Sequence, residues 1–207
     1  MPDRAADTGP EGAPHGQPDA ATPAAGPETP LLILIGGAGD GTLRKVGQVA
    51  DWLRARPDAA GREVHYFFHW QKGAVLDLIA AQPPGRPIRL VGHSWGGNAA
   101  ARVAAALGQR GRPVELLVTI DPVTRGIGPA FLAQVKAGAR RWINVRAGGA
   151  AGFDYSDLVA AIGGAYGEAP RDFADLHLVL PHPHAAFAAM LQGRLPEGPS
   201  LLDLILA

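Results

Sequence analysis

The chain has 207 residues, of which 47% are hydrophobic and 18% are charged, and this composition is typical of a single globular domain. Nineteen basic side chains balance nineteen acidic ones, so the net charge gives no reason to expect a nucleic-acid partner. The sequence contains no cysteine, which excludes disulfide bonds, cysteine-ligated metals and a cysteine nucleophile.

Residues 1–30 are rich in Pro, Gly and Ala and contain almost no large apolar side chains. Such a segment cannot bury enough surface to offset the entropy that it would lose on ordering, so we expect a disordered arm. Its acidic start lacks the features of a secretory signal, and no apolar run reaches the roughly 20 residues that span a bilayer. We therefore expect no transmembrane segment and, by default, a cytoplasmic protein, with export by a leaderless route as the alternative.

Six short aliphatic or β-branched runs predict the strands of the remaining domain, residues 31–207. Most of these runs are apolar on both faces, as expected for a sheet that helices cover on both sides. In chain order they are residues 31–35, 64–68, 88–91, 114–120, 142–145 and 176–180.

Helix-like segments lie between these runs. In the segment 43–56, apolar side chains recur at spacings of three and four residues, which is typical of an amphipathic helix. The other segments are less regular or Ala-rich, and they cover residues 72–81, 97–110, 129–140, 155–166 and 184–192. This alternation predicts an α/β fold with a mostly parallel sheet of about six strands and helices on both faces.

The most informative segment is Gly-His-Ser-Trp-Gly-Gly at residues 92–97, which follows an apolar strand and precedes an Ala-rich helix. A serine that projects from a tight strand-to-helix turn sits in strained backbone, and glycines two residues away remove the Cβ atoms that would clash. A helix that starts at the serine also points its free amides at negative charge that develops there. The pattern therefore predicts that Ser94 is a nucleophile.

These residues resemble the nucleophile elbow of the α/β-hydrolase superfamily, in particular its serine lipase, esterase and thioesterase branch. The resemblance extends over about residues 31–192 and implies that residues 31–207 form a catalytic domain of this type. It also implies an acid and then a histidine after Ser94, each at the carboxyl end of a strand.

Three aspartates are candidates for the acid. Asp121 directly follows the run 114–120 and precedes a proline that ends the strand, so we expect its carboxylate at the carboxyl edge of the sheet. Asp154 and Asp157 follow the next strand and are the alternatives. Asp157 can equally cap the helix that begins near it. We expect Asp121 to be the acid.

His184 is the expected base among the seven histidines. It follows the last strand and stands at the start of the segment 184–192, where the resemblance puts the base. His182, which lies between two prolines, is the alternative. The base would accept the serine proton, and the acid would orient the base.

The glycine-rich loop 36–41 follows the first strand, and its small residues allow backbone amides to approach a substrate carbonyl closely. By resemblance, an oxyanion hole would combine the amide of Trp95 with that of Ala38 or Gly37. The loop fits neither the Rossmann nor the phosphate-loop spacing, and the pair His182 and His184 lacks further ligands. We therefore expect no cofactor and no metal.

The residues and the resemblance together predict a serine hydrolase that cleaves a carboxylic ester or thioester in a small-molecule or lipid substrate. The connection between the runs 114–120 and 142–145 is too short for a large cap domain, so we expect a small lid around residues 129–139. Phe131, Leu132 and Trp95 are candidates for the lining of an apolar acyl pocket. The alternatives are acyl transfer or amide cleavage by the same triad, and a non-catalytic hydrolase fold that serves in binding.

Overall fold

The computed structural model describes residues 29–56, 62–149, 154–196 and 198–207. The strands are β1 (Leu31–Gly36), β2 (Glu63–Phe68), β3 (Ile88–His93), β4 (Val114–Ile120), β5 (Ala139–Ala147) and β6 (Leu176–Leu180). They form one sheet in the order β2-β1-β3-β4-β5-β6, and every neighbouring pair is parallel. The six predicted strands and the predicted α/β fold are confirmed.

Helices connect and flank these strands. They are α1 (Asp40–Leu43), α2 (Lys45–Ala55), α3 (Lys72–Ala80), α4 (Trp95–Gln109), α5 (Pro129–Ala137), α6 (Tyr155–Gly163), α7 (Phe187–Leu191) and α8 (Leu201–Leu206).

The strand β1 shows why the sheet is apolar on both faces. Its successive side chains point to opposite sides, and all six residues are buried. Ile33 and its neighbours two residues away pack with α3, α4 and α5 in one hydrophobic cluster. Leu32 and Leu34 pack with α2, α7 and α8 in the other. Because helices cover both faces, the strands carry continuous apolar runs instead of an alternating pattern.

Two of the predicted helical segments have different bounds in the structure. The segment 43–56 is divided because Arg44 has a φ of 50°, so α1 ends before it and α2 begins after it. The segment 129–140 ends at Ala137, since Gly138 lies against α4, where a Cβ atom would be 2.1 Å from the Ala104 carbonyl oxygen. The chain then enters β5 at once.

The first and last parts of the chain differ more from the prediction. In the segment 184–192 only Phe187–Leu191 is helical, so residues 182–186 remain a loop. The helix α8 was not predicted, although its start carries a capping box in which Ser200 and Asp203 bind each other's backbone amides. The predicted arm, residues 1–30, lies outside the described residues except for its last two. Within the described ranges, no helix is both long and apolar enough to cross a bilayer.

Candidate active site

Ser94 lies at the turn between β3 and α4 with φ 57° and ψ −127°. A side chain in this region is strained, and such strain is concentrated at functional sites. A Cβ atom on Gly92 would lie 2.3 Å from the Gly96 carbonyl oxygen, and a Cβ atom on Gly96 would lie 2.1 Å from the Ile35 carbonyl oxygen. Both glycines are therefore required because the backbone segments approach each other closely.

The side chain of His184 bridges those of Ser94 and Asp121. Its Nε2 lies 3.0 Å from Ser94 Oγ, and its Nδ1 lies 2.5 Å from Asp121 Oδ2. Because a carboxylate only accepts hydrogen bonds, Nδ1 carries the proton and Nε2 is left to accept one from the serine. All three residues are at most 9% exposed. The structure thus brings together the three side chains that the sequence analysis favoured.

Asp121 is fixed by the sheet from which it emerges. Its amide donates to the Val145 carbonyl oxygen at 2.7 Å, and its Oδ1 accepts from the amide of Ala147 at 3.0 Å. The residue has a φ of 40°, a second strained position close to Ser94. With Oδ1 held by β5, the other carboxylate oxygen is directed at His184.

The backbone of His184 is held from two sides. His93 Nε2 donates to the His184 carbonyl oxygen at 2.7 Å, and the His184 amide donates to Asp157 Oδ1 at 2.6 Å. The next amide, that of Ala185, donates to Ser156 Oγ at 3.1 Å. These bonds restrain a loop that has no helical hydrogen bonds of its own at this point. The sequence analysis assigned no role to His93 and missed this contact.

The alternative acids and the alternative base make other contacts. Asp154 caps α6 and accepts from the amide and the hydroxyl of Ser156, and these bonds hold the pKa of Asp154 below its ordinary value. Asp157 binds the main chain of His184. His182 contributes its backbone, donating to Leu180 and accepting from the Gly149 amide.

The loop after β1 packs directly on Ser94. A Cβ atom on Gly37 would lie 2.8 Å from Ser94 Cβ and 3.2 Å from Ser94 Oγ, so only glycine allows this approach. The following residue, Ala38, and the first residue of α4, Trp95, line the same cavity as Ser94. Among the described residues, the amides of Ala38 and Trp95 have no backbone acceptor. Amides near the nucleophile are thus available to a ligand.

Asp40, at the end of this loop, is a buried carboxylate that the sequence analysis did not single out. It accepts from the amides of Val46 and Gly47 at the start of α2, at 2.8 and 3.1 Å, and from the Tyr66 hydroxyl at 2.5 Å. Burial and this carboxylate raise the pKa of Tyr66 well above its ordinary value. The contacts attach the glycine-rich loop to α2 and β2.

A cavity of about 880 Å³ opens onto Ser94. This volume is within the range of about 300–1,000 Å³ that is usual for small-molecule sites. Apolar side chains form most of its wall: Leu43, Trp70, Trp95, Val123, Tyr155, Val159, Ala160 and Ile162. The exposed cations Lys45, Lys72 and Arg125 stand at its rim.

The helix α6 borders this cavity, whereas α5 does not. Leu132 of α5 is buried in the core beside α4, and Phe131 packs on the same core with the Arg102 guanidinium 5.0 Å from its ring centre. The prediction of a lid around residues 129–139 is therefore wrong. Of the three side chains predicted for the pocket, only Trp95 lines it, because the packing of α5 on α4 directs the other two away.

Aromatic rings form one side of the cavity. The ring of Trp95 stacks on His69 at 5.0 Å, and Trp70 stacks on Phe68 at 4.5 Å. Both ring nitrogens of His69 are buried without a partner among the described residues. Burial, together with the positive charge of Lys72, lowers the pKa of His69, which favours the neutral form of its ring.

The comparisons with known proteins agree with this chemistry. The thioesterase-domain family matches residues 73–139, about a third of the chain, and this segment contains Ser94 and Asp121. The match confirms the predicted resemblance to the esterase and thioesterase branch, and with it the expectation of a hydrolase that acts on ester or thioester bonds. No curated protein matches the chain.

Solved structures to which the chain is similar include thioesterases and an esterase. YbtT, a type II thioesterase from the yersiniabactin biosynthetic pathway, is 14% identical, with 77% of this chain and 87% of that chain covered and a TM-score of 0.47. Est1E from Butyrivibrio proteoclasticus is 14% identical, with 77% and 82% covered and a TM-score of 0.48. RedJ, a thioesterase of the prodiginine pathway in Streptomyces coelicolor, is 18% identical, with 90% and 93% covered and a TM-score of 0.44.

The buried His93 generates a prediction about stability in acid. Burial, reinforced by the neighbouring His184, lowers the pKa of His93 to about 4. The unfolded chain therefore binds a proton at this residue near pH 6.5 while the folded chain does not, so stability falls as the pH falls from about 6.5 towards 4. In His93→Gln, which keeps an N–H donor for the His184 carbonyl, we expect the loss between pH 6.5 and pH 5 to be smaller by about 2 kcal/mol.

Urea unfolding of the wild type and His93→Gln at both pH values measures this difference. His182→Gln, in the loop that contains His184, controls for the removal of an imidazole in general. Equal losses of stability in the wild type and His93→Gln would contradict the prediction.

Proposed function

We propose that the chain is a serine hydrolase that cleaves a carboxylic ester or thioester through an acyl-enzyme on Ser94. The observation that carries the proposal is the continuous series of hydrogen bonds from Asp121 through His184 to Ser94. A serine hydroxyl is a weak nucleophile until a base accepts its proton, and the base acts only when a third group holds it in the correct tautomer. The hydrogen bonds of His184 to Ser94 and to Asp121 supply both the base and the group that orients it.

In the first half of the reaction, Ser94 Oγ forms a bond to the substrate carbonyl carbon while its proton passes to His184 Nε2. The imidazolium is stabilised by Asp121, and it returns the proton to the leaving alcohol or thiol as the acyl bond to that group breaks. In the second half, water gives a proton to His184 Nε2 as its oxygen forms a bond to the acyl carbon. The bond between that carbon and Ser94 Oγ then breaks, and His184 returns the proton to Oγ, which releases the acid and restores Ser94.

The negative oxygen of each tetrahedral intermediate would be bound by backbone amides. We assign one to Trp95, at the positive end of α4, and the other to Ala38, with Gly37 as the alternative donor. This assignment is supported by the close approach of the loop to Ser94 and by the absence of backbone acceptors for the Ala38 and Trp95 amides among the described residues. Fixed donors of this kind stabilise charge without reorganising during the reaction.

The cavity favours an apolar acyl group. Val159 and Ile162 on one side and the ring of Trp70 on the other surround a space of about 880 Å³ beside Ser94. Burial of each methylene contributes about 0.8 kcal/mol, so a chain of several carbons gains more in this cavity than an acetyl group does.

The nucleophile can be tested by covalent labelling. We expect a fluorophosphonate probe to add one label to the wild type and none to Ser94→Ala, because Oγ forms the bond to phosphorus; intact-protein mass spectrometry measures the label. Ser200→Ala, whose hydroxyl caps α8 instead, should be labelled like the wild type. An unlabelled wild type, or a labelled Ser94→Ala, would refute the proposal.

The acid can be tested by comparing two carboxylates near the same histidine. Asp121→Asn should lower kcat/KM by about 10⁴-fold, because an amide facing Nδ1 favours the wrong tautomer of His184. Asp157→Asn should lower it by about tenfold, since it weakens a hydrogen bond to the His184 backbone only. Steady-state hydrolysis of a p-nitrophenyl ester measures both, and a larger loss in Asp157→Asn than in Asp121→Asn would reverse the assignment.

The acyl preference can be measured with p-nitrophenyl esters from acetate to octanoate. We expect kcat/KM to rise by about fourfold for each added methylene until the cavity is filled. Val159→Thr should reduce the advantage of the octanoate ester, because its hydroxyl is set in the apolar wall. Val179→Thr is the matched control, since Val179 is equally exposed, at 47% against 49%, but does not line the cavity. A flat dependence on chain length in the wild type would contradict an apolar acyl pocket.

A further inference from the structure

The helix α6 presents its apolar side chains to solvent, whereas the polar side chains of its first turn contact the rest of the protein. Tyr155, Leu158, Val159 and Ile162 are 71%, 43%, 49% and 63% exposed, whereas Ala160 is buried. Because their spacings are three and four residues, the exposed side chains form one stripe along the helix. A helix on the surface of a globular domain normally packs its apolar face on the core and exposes its polar face.

The orientation of α6 is fixed by the candidate active site. Ser156 and Asp157, in its first turn, bind the backbone amides of Ala185 and His184. At the other end, Arg125 donates to the Ile162 carbonyl oxygen at 3.0 Å. Rotation of α6 to bury the apolar stripe would break these contacts, so the stripe is held towards solvent.

Other segments add apolar side chains around the same opening. Leu43 of α1, Trp70 in the loop after β2 and Trp95 at the start of α4 are 57%, 62% and 46% exposed. Of the nine large hydrophobic side chains that are strongly exposed among the described residues, six line this one cavity. We call the seven residues Leu43, Trp70, Trp95, Tyr155, Leu158, Val159 and Ile162 the mouth patch. An exposed apolar patch of this kind marks an interaction surface.

Among the described residues that line the cavity, the exposed charged side chains are cations. Lys45, Lys72 and Arg125 are exposed at the rim and form no salt bridge with a described carboxylate. Asp40 is the one acid near this rim among the described lining residues, and it is buried and bound to the start of α2. The surface therefore complements a negatively charged apolar interface.

We propose that the mouth patch docks on an anionic phospholipid surface, with α6 lying in the interface. Exposed apolar side chains on one face of a helix, with Trp, Tyr and cations around them, are the features by which proteins bind such surfaces. Six of its seven residues line the cavity that opens onto Ser94, so an acyl chain can pass from the lipid layer into the apolar cavity without crossing water. This last step rests on the proposed function, whereas the docking itself does not require catalysis.

The test uses the full chain carrying Ser94→Ala, so that binding is measured without hydrolysis. Vesicles of phosphatidylcholine alone, and of phosphatidylcholine mixed with phosphatidylglycerol, are sedimented with the protein. We expect binding to the mixed vesicles, lowered at least about tenfold by Leu158→Asp combined with Ile162→Asp. Lys45→Glu and Lys72→Glu should each lower it about fivefold, and only where phosphatidylglycerol is present.

Two matched variants serve as controls. Val179→Asp changes an apolar side chain of similar exposure outside the mouth patch, and Arg140→Glu reverses a charge at the amino end of β5, the edge of the sheet opposite Ser94. Both should bind like the parent chain, and circular dichroism checks that every variant is folded.

Failure to bind the mixed vesicles, or equal binding by the Leu158→Asp/Ile162→Asp variant and the parent chain, would overturn the proposal. If the chain ignores vesicles while the same double substitution lowers hydrolysis of a thioester carried on a protein, the mouth patch is a protein interface and the lipid proposal fails. Fluorophosphonate labelling of the chain with Ser94 intact reports separately on the proposed function.

Discussion

The close contact between the start of α4 and the ends of β1 and β3 is the constraint on which the site depends. Gly96 lies so near the Ile35 carbonyl oxygen that no side chain fits between them, and Gly92 is equally close to Gly96. This contact forces Ser94 into its strained conformation and brings the glycine-rich loop against its side chain. The proposed nucleophile and the amides proposed for the oxyanion hole are thus positioned by the same backbone packing.

The position of His184 depends on a second set of contacts, which come from outside its own loop. Asp121 orients the ring, His93 holds the carbonyl, and Asp157 holds the amide. Since Asp157 belongs to α6, the helix that borders the cavity also restrains the base. The apolar stripe of α6 is exposed for the same reason, because the polar side chains in the first turn of the helix are hydrogen-bonded to the loop of His184.

Sequence patterns predicted the sheet well because the cause of each strand is local. Every buried strand must be apolar on both faces, and that requirement is visible in a run of five or six residues. Helix ends were predicted less well, since α5 ends at a glycine whose close contact with α4 is not visible in the sequence. The lid was predicted on α5, which does not border the cavity, because a short amphipathic segment does not reveal against which surface its apolar residues will pack.

The sequence by itself determined the fold class and identified Ser94, since a glycine-flanked serine between a strand and a helix is defined by neighbours in the chain. The tertiary structure alone decided which carboxylate faces the imidazole. Asp121 and Asp157 both follow strands, and only the hydrogen bonds of β5 and α6 direct one to the ring and the other to the backbone. The role of His93 was likewise decided in three dimensions, because the carbonyl that it holds is 91 residues away. Contacts of this kind depend on packing between distant segments, and no local pattern encodes them.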